Sequence, residues 1–303
     1  MQSVWNWIIA IYLFLGGLGA GAFLVAAYFE LSGQRAKLDF CPTTLVGATL
    51  SGPLVGIGAL LLIFDLGAGM REPLRIFYMF ANGTSVMTWG IWILCGFIPL
   101  ALIYGVLELL DTYGKAGQGS RLRIAKRVAA AVGSLFAVGT ALYTGVLLSA
   151  VGPALPFWST SLGVPILPLL FLVSAVSTGV ALTLLLSDTL ASGDRQPETN
   201  RLPLVHLVLI VLEVALLALL LITALGQGGP AAAAAEALTA GSNSLPFWLL
   251  FVVPGLVVPL VALAVAKVGK HSRVLTLVEG VCILAAGLVL RYLVLVSGFS
   301  VPL

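Results

Sequence analysis

Four polar side chains that hydrocarbon tolerates poorly sit on four different apolar stretches of this 303-residue chain: Tyr12, Asp65, Tyr143 and Arg291. At about 1.5 Å of rise per helical residue, Asp65 lies near the outer end of its stretch. Tyr143 and Arg291 lie a few residues inside the same end of theirs, and Tyr12 five residues beyond Trp7. All four fall at one depth. A carboxylate, a guanidinium and two phenols held together offer hydrogen-bond donors to carbonyl oxygens and groups that take or release protons. Those are the needs of a quinone head group. Two plainer readings stand beside it. Tyrosines near a membrane interface commonly form an aromatic belt, which would account for Tyr12, and Asp65 with Arg291 would make a structural ion pair. Tyr143 is deeper than a belt residue and is followed by Thr144-Gly145, so it leads the set.

A second set lies deeper or toward the other side. Glu213 is close to the middle of its stretch, where a charge is most costly and a functional role is the default hypothesis. His206, Glu279, Glu108 and Glu30 fall toward the cytoplasmic ends of theirs. Glu213, His206 and Glu279 form a candidate proton track from the cytoplasm. The alternative for Glu213 is a neutral carboxyl bonded to a neighbouring helix. Glu30 and Glu108 are expected to be solvated at the interface.

These residues need elements to carry them. Eight apolar stretches, 7–29, 45–66, 89–110, 128–150, 164–187, 202–225, 247–266 and 274–296, are each long enough to cross a bilayer core of about 30 Å. Backbone in hydrocarbon must satisfy its own hydrogen bonds, so such runs are helices, and strand-type alternation is absent. The expectation is an all-α polytopic membrane protein, one domain over 1–303, with eight transmembrane helices in two four-helix bundles. With 60% hydrophobic and 9% charged residues, the composition agrees. The start, Met1-Gln2-Ser3, has no basic segment and the first apolar run exceeds a signal-peptide core, so it reads as a retained span.

Lys and Arg alternate between the two sides. Arg35, Lys37, Lys115, Arg121, Arg123, Lys126, Arg127, Arg195, Arg201, Lys267, Lys270 and Arg273 lie on one, and only Arg71 and Arg75 on the other. The positive-inside rule puts the richer side in the cytoplasm, so both termini face out. A net charge of +3 gives no reason to expect nucleic acid.

Cys41, Cys95 and Cys282 stand singly, without the clustered thiolates that iron–sulfur or structural zinc sites need. Of two histidines, His206 opens a span and His271 lies in a connection, so a bis-His haem is not expected. Leu155-Pro156-Phe157-Trp158 and Leu245-Pro246-Phe247-Trp248 echo each other on the outer side and read as interfacial tryptophan anchors after a proline turn. Residues 226–243, including the run Ala231 to Ala235, read as a surface loop or short helix. Gly16, Gly17, Gly19 and Gly21, and then Gly52, Gly56 and Gly58, permit close helix contact.

Several segments together resemble the NrfD/PsrC family, membrane subunits of bacterial molybdopterin or multihaem oxidoreductases. They are the opening from Val4 to Gly17, Phe64-Asp65-Leu66-Gly67 with Arg71 and Arg75, the run from Asn82 to Gly90, Tyr143-Thr144-Gly145-Val146-Leu147-Leu148-Ser149, Pro165-Ile166-Leu167-Pro168 and Leu290-Arg291-Tyr292. The resemblance runs through most of the chain in order. It implies a menaquinone or other quinone site near the outer face, approached by Tyr143 with Asp65 close by, and quinol oxidation as the usual direction. It also implies a docked ferredoxin-like subunit with four [4Fe–4S] clusters, and through it a molybdopterin or multihaem catalytic subunit. Relatives of the polysulfide reductase type carry Asn and His on the first helix. No histidine occurs there in this sequence, so Tyr12 or Asn6 takes that place. Arg71, Arg75 and Asn82 then form the expected docking surface for the iron–sulfur partner.

The expected function is a quinone-reactive membrane anchor of a respiratory oxidoreductase, exchanging electrons between the lipid quinone pool and a periplasmic iron–sulfur subunit. A proton-coupled secondary transporter is the alternative, since Gly- and Pro-rich helices with mid-membrane carboxylates serve transporters too. A purely structural anchor is the third.

Overall fold

The computed structural model describes residues 7–35, 40–65, 80–114, 119–151, 155–190, 202–267 and 273–298. Among them the fold is helical, with one isolated β-bridge between Ser161 and Pro165. In order the elements are α1 (Trp7–Leu31), α2 (Pro42–Asp65), α3 (Val86–Tyr113), α4 (Ser120–Ala150), α5 (Ile166–Leu190), α6 (Leu202–Gln227) and α7 (Gly229–Thr239). A π-helix (Pro246–Val257), α8 (Val258–Lys267) and α9 (Arg273–Val296) complete them.

Seven of these, α1 to α6 and α9, are long and apolar enough to cross a membrane. The molecule is a polytopic helical membrane protein. The stretch 247–266, expected as a membrane span, is a 12-residue π-helix that runs directly into the 10-residue α8. Pro254 within it lacks an N–H, and losing a backbone donor inside a helix disturbs the regular α ladder. The alanine run of 226–243 forms α7, whose buried face is Ala231, Ala234, Ala235 and Leu238.

Helix α1 is the hub, packing against α2, α4, α5 and α9. Contacts of α2 with α3 and of α3 with α4 close a ring of the first four helices, while α5 touches α6 and α9, and α9 lies on the π-helix. The α1–α5 crossing is backbone on backbone. A methyl group at Gly21 would overlap the Ala175 carbonyl, and one at Gly179 would overlap the backbone of Gly21, so only glycine permits this approach. Gly17 also faces α5, whereas Gly16 and Gly56 face open space.

Two interfacial readings give way to burial. Trp158 is 1% exposed and donates from Nε1 to the Val294 carbonyl at 2.7 Å, sealing the end of α9. Its echo Trp248 is 49% exposed and donates to the Thr239 carbonyl. Glu30 and Glu108, expected to be solvated, are buried because Arg35 and Lys126 turn inward to meet them.

Candidate functional site

Tyr12 of α1 and Tyr143 of α4 come together. Both are buried and interact through their phenol groups. Tyr12 Oη nevertheless has no partner in hydrogen-bond geometry, which is an expensive way to bury a hydroxyl. The Tyr143 ring lies flat against Gly90 of α3, where any side chain would overlap it. Gly58 of α2 lies beside the Tyr12 backbone, 3.4 Å from an added methyl to its carbonyl. Each of the first four helices therefore contributes to the walls around the two phenols. Asp65 ends α2, but its side chain lies outside the described residues, as do Asn6, Arg71 and Arg75. Asn82 is exposed and folds locally, its Oδ1 accepting from the Thr84 hydroxyl at 2.7 Å.

Arg291 is drawn elsewhere. Fully buried on α9, it donates from Nε to the Leu13 carbonyl at 3.1 Å and from Nη1 to the Gly287 carbonyl at 2.7 Å. Nη1 also reaches Ser174 Oγ of α5 at 3.4 Å, and the guanidinium sits over the Phe14 and Phe171 rings at 5.7 and 5.5 Å. Nη2 lies against Gly17 without a hydrogen-bond partner. Leu13, which receives Arg291, directly follows Tyr12, so the two centres are neighbours along α1.

From Arg291 polar groups continue inward. Glu213, 6% exposed on α6, lies within electrostatic reach of Ser174, Arg291 and His206. Glu213, Ser174, Thr178, Phe251, Gly255 and Gly287 line a cavity of about 10 Å³, room for a single water with polar partners. His206 sits seven residues before Glu213 on the same face, about 10 Å along the axis. Its Nδ1 is 3.5 Å from Glu279 Oε1, and its Nε2 is buried without a partner. The three residues of the expected track thus fall in the order Glu279, His206, Glu213, followed by Ser174 and Arg291. Ser174 was not singled out in the sequence; a serine inside an apolar helix carries no distinguishing signal there.

A second charged centre also escaped the sequence. At the opposite ends of α1 and α4 from the two tyrosines, Lys126 Nζ lies 2.5 Å from Glu108 Oε2, 2.7 Å from Asp111 Oδ2 and 3.3 Å from Glu30 Oε2. Arg35 Nε donates to Glu108 Oε1 at 2.8 Å, and Nη2 reaches Asp111 Oδ2 at 3.2 Å. Burial disfavours the Arg35 charge, but Glu108 and then Asp111 outweigh it and hold the guanidinium above its ordinary pKa. Tyr104, fully buried, donates to the Ala26 carbonyl at 3.4 Å just above this cluster. Among the described residues no three His, Cys, Asp or Glu side chains converge as metal ligands.

Known proteins resemble this one along its whole length. The family described as polysulphide reductase, NrfD, matches residues 1–302. The C subunit of Wolinella succinogenes polysulfide reductase is 34% identical over 97% of this chain and 94% of its own length. The NrfD homolog of Haemophilus influenzae is 27% identical over the same shares, and Escherichia coli K12 NrfD is 31% identical over 85% of this chain and 83% of its own. With the family matched from end to end and a relative this similar along its full length, the chain belongs to the NrfD/PsrC family.

Proposed function

We propose that this protein is the quinone-reactive membrane subunit of a respiratory oxidoreductase, and that the Tyr12–Tyr143 pair is where the quinone head group meets it. The carrying observation is the Tyr12 hydroxyl, buried beside Tyr143 and lacking a hydrogen-bond partner. An orphan donor of this kind fits a carbonyl oxygen, which would satisfy it. Family membership supports the reading, since a relative named as the C subunit of polysulfide reductase is by that name one part of a redox complex.

When bound, the quinone supplies a two-electron, two-proton couple. Tyr12 and Tyr143 would orient its oxygens by hydrogen bonding, with Asp65 and Asn6 as further candidates at the same level. Gly90 leaves the Tyr143 ring room to lie flat. Arg291 stays one step back from the phenols. Bonded to the α1 backbone and Ser174, it links them to Glu213. We assign Glu213, His206 and Glu279 to a proton path. Protons held at the Glu213 carboxyl would pass by way of Ser174 and the adjoining cavity.

In this reading the segment 247–266 crosses the membrane as an eighth span, and the spans form two four-helix bundles joined through α1 and α5. Both termini are periplasmic, the site is near the outer face of an inner membrane, and electrons run from menaquinol to a ferredoxin-like subunit with four [4Fe–4S] clusters. That subunit hands them to a molybdopterin or multihaem partner. Arg71, Arg75 and Asn82 are its docking residues. Charge reversal at Arg71 and Arg75 that left complex assembly intact would remove them from that role.

The test is purification with native partners, lipid extraction, and quinol-driven reduction of the partner's clusters in wild type and Tyr143→Phe. Stoichiometric quinone with turnover lowered by the substitution is the expected result. Absence of both quinone and an iron–sulfur partner, together with substrate flux in liposomes holding this protein alone, would replace the reading with that of a secondary transporter.

A further inference from the structure

Helix α4 is 31 residues long, about 46 Å at 1.5 Å per residue, against a hydrocarbon core of about 30 Å. Its excess is the polar first two turns. There Arg121, Arg123 and Arg127 are exposed, while Lys126 between them is buried among Glu30, Glu108 and Asp111. That buried lysine fixes the rotation of the helix. At 3.6 residues per turn, Arg121, Ile124, Val128, Val132 and Leu135 fall on the side opposite Lys126, and Arg127 borders them. The exposures agree: Ile124 is 61%, Val128 56% and Leu135 76% open. A stripe of branched aliphatic residues with Arg121 at its head and Arg127 at its edge therefore faces away from the protein.

Arg121 and Arg127 take part in no ion pair among the described residues. The carboxylates at that end of α3, Glu108 and Asp111, are already engaged by Lys126 and Arg35. We propose that this stripe is a binding surface for an anionic phospholipid, with phosphate oxygens at Arg121 and Arg127 and an acyl tail along Ile124, Val128, Val132 and Leu135. Guanidinium groups suit phosphate because their donors form a planar fork. A basic residue at the surface of an anionic leaflet gains about fivefold in lipid affinity, and the aliphatic stripe holds the tail in line below. The inference requires only that α4 cross a bilayer. It does not depend on quinone chemistry, so the two readings fail separately.

The experiment uses the protein purified with its native partners. Retained lipids are counted by native mass spectrometry for wild type and for Arg121→Gln/Arg127→Gln. Thermal stability of delipidated wild type is then compared in phosphatidylglycerol and phosphatidylcholine vesicles. Phosphatidylglycerol retention is expected to fall roughly fivefold for each arginine removed, with phosphatidylcholine retention unchanged. Wild type is expected to unfold at a higher temperature in phosphatidylglycerol. Equal retention by the variant, equal stability in the two vesicle types, or an equal stabilisation by inorganic phosphate in phosphatidylcholine would overturn the proposal. A second copy of this protein held on the same face, seen as a dimer lost in the variant, would overturn it too.

Discussion

The two phenols do different work in the same place, and substitution separates them. Tyr143 has its ring fixed by Gly90 and its hydroxyl beside Tyr12, whereas the Tyr12 hydroxyl has no partner of its own. Tyr143→Phe is expected to lower quinol-driven turnover by about 10²-fold if its hydroxyl moves a proton, the lower end of general acid–base contributions. Tyr12→Phe removes a buried, unpartnered hydroxyl, so stability should hold or rise slightly while the Michaelis constant for quinol increases. Steady-state kinetics with a soluble quinol analogue, alongside thermal unfolding, reads both. Gly90→Ala provides an independent check. Its methyl falls on the carbon that bears the Tyr143 hydroxyl and displaces the ring, and turnover should fall while both phenols remain. Tyr12 and Tyr143 were legible in the sequence because aromatic hydroxyls stand out in apolar spans and depth follows from counting residues. Arg291 was legible as buried but not in its partners, because Leu13 and Gly287 contribute backbone carbonyls, which every residue has.

At the scale of helices, the ends of α1, α3 and α4 are tied by charges that sequence reading set in solvent. Glu30 and Lys126 are nearly a hundred residues apart, and nothing local marks them as partners. Only the closure of α1 on α4, where Gly133 receives the Phe23 ring, brings them within 3.3 Å. The same blindness hid the burial of Trp158, whose partner carbonyl at Val294 lies on the last helix. Span positions, by contrast, could be read because hydrophobic length is a local property, and α1, α5, α6 and α9 begin within two residues of expectation. The π-helix could not, since Pro254 announces a disturbance but not its form. Removing one partner from a buried ion cluster strands the rest. Lys126→Met should therefore cost about 3–5 kcal/mol, read as a lowered unfolding temperature in detergent. Arg35 is held above its ordinary pKa. Its contribution to stability is thus fully present below the usual arginine range and is lost only as pH rises through the raised value. Alkali within the physiological range will not release it, and Arg35→Gln is the informative change. At the α1–α5 crossing, Gly179→Val forces a side chain into the Gly21 backbone. Overpacking at such a contact costs about 1–3 kcal/mol or more, and reduced yield of folded protein with separated α1 and α5 is expected.

For the molecule as a whole, the consequence turns on where protons travel relative to electrons. If quinol is oxidised near the outer face and its protons leave on that side, turnover moves little charge across the membrane. A proton path through the interior changes that balance. The groups available for one are disposed in sequence from Glu279 and His206, through Glu213 and the cavity it shares with Ser174, to Arg291 beside α1. They come from helices distant in the chain, since α6 and α9 supply the carboxylates and α1 carries Tyr12 next to the Arg291 anchor at Leu13. Glu213→Gln keeps the shape and the hydrogen-bonding capacity of the side chain while removing its ability to hold and release a proton. In proteoliposomes with the complete complex, the variant should retain quinone binding and most partner reduction, but lose the membrane potential that turnover generates. A control at Glu236, on the short helix α7 away from the track, should leave both unchanged. Unaltered turnover and unaltered potential in Glu213→Gln would mean that this carboxyl serves packing alone, and that charge movement belongs to the outer site or to no site in this protein. Loss of turnover and potential together would tie Glu213 to the redox step itself, with Arg291 as the physical link between them.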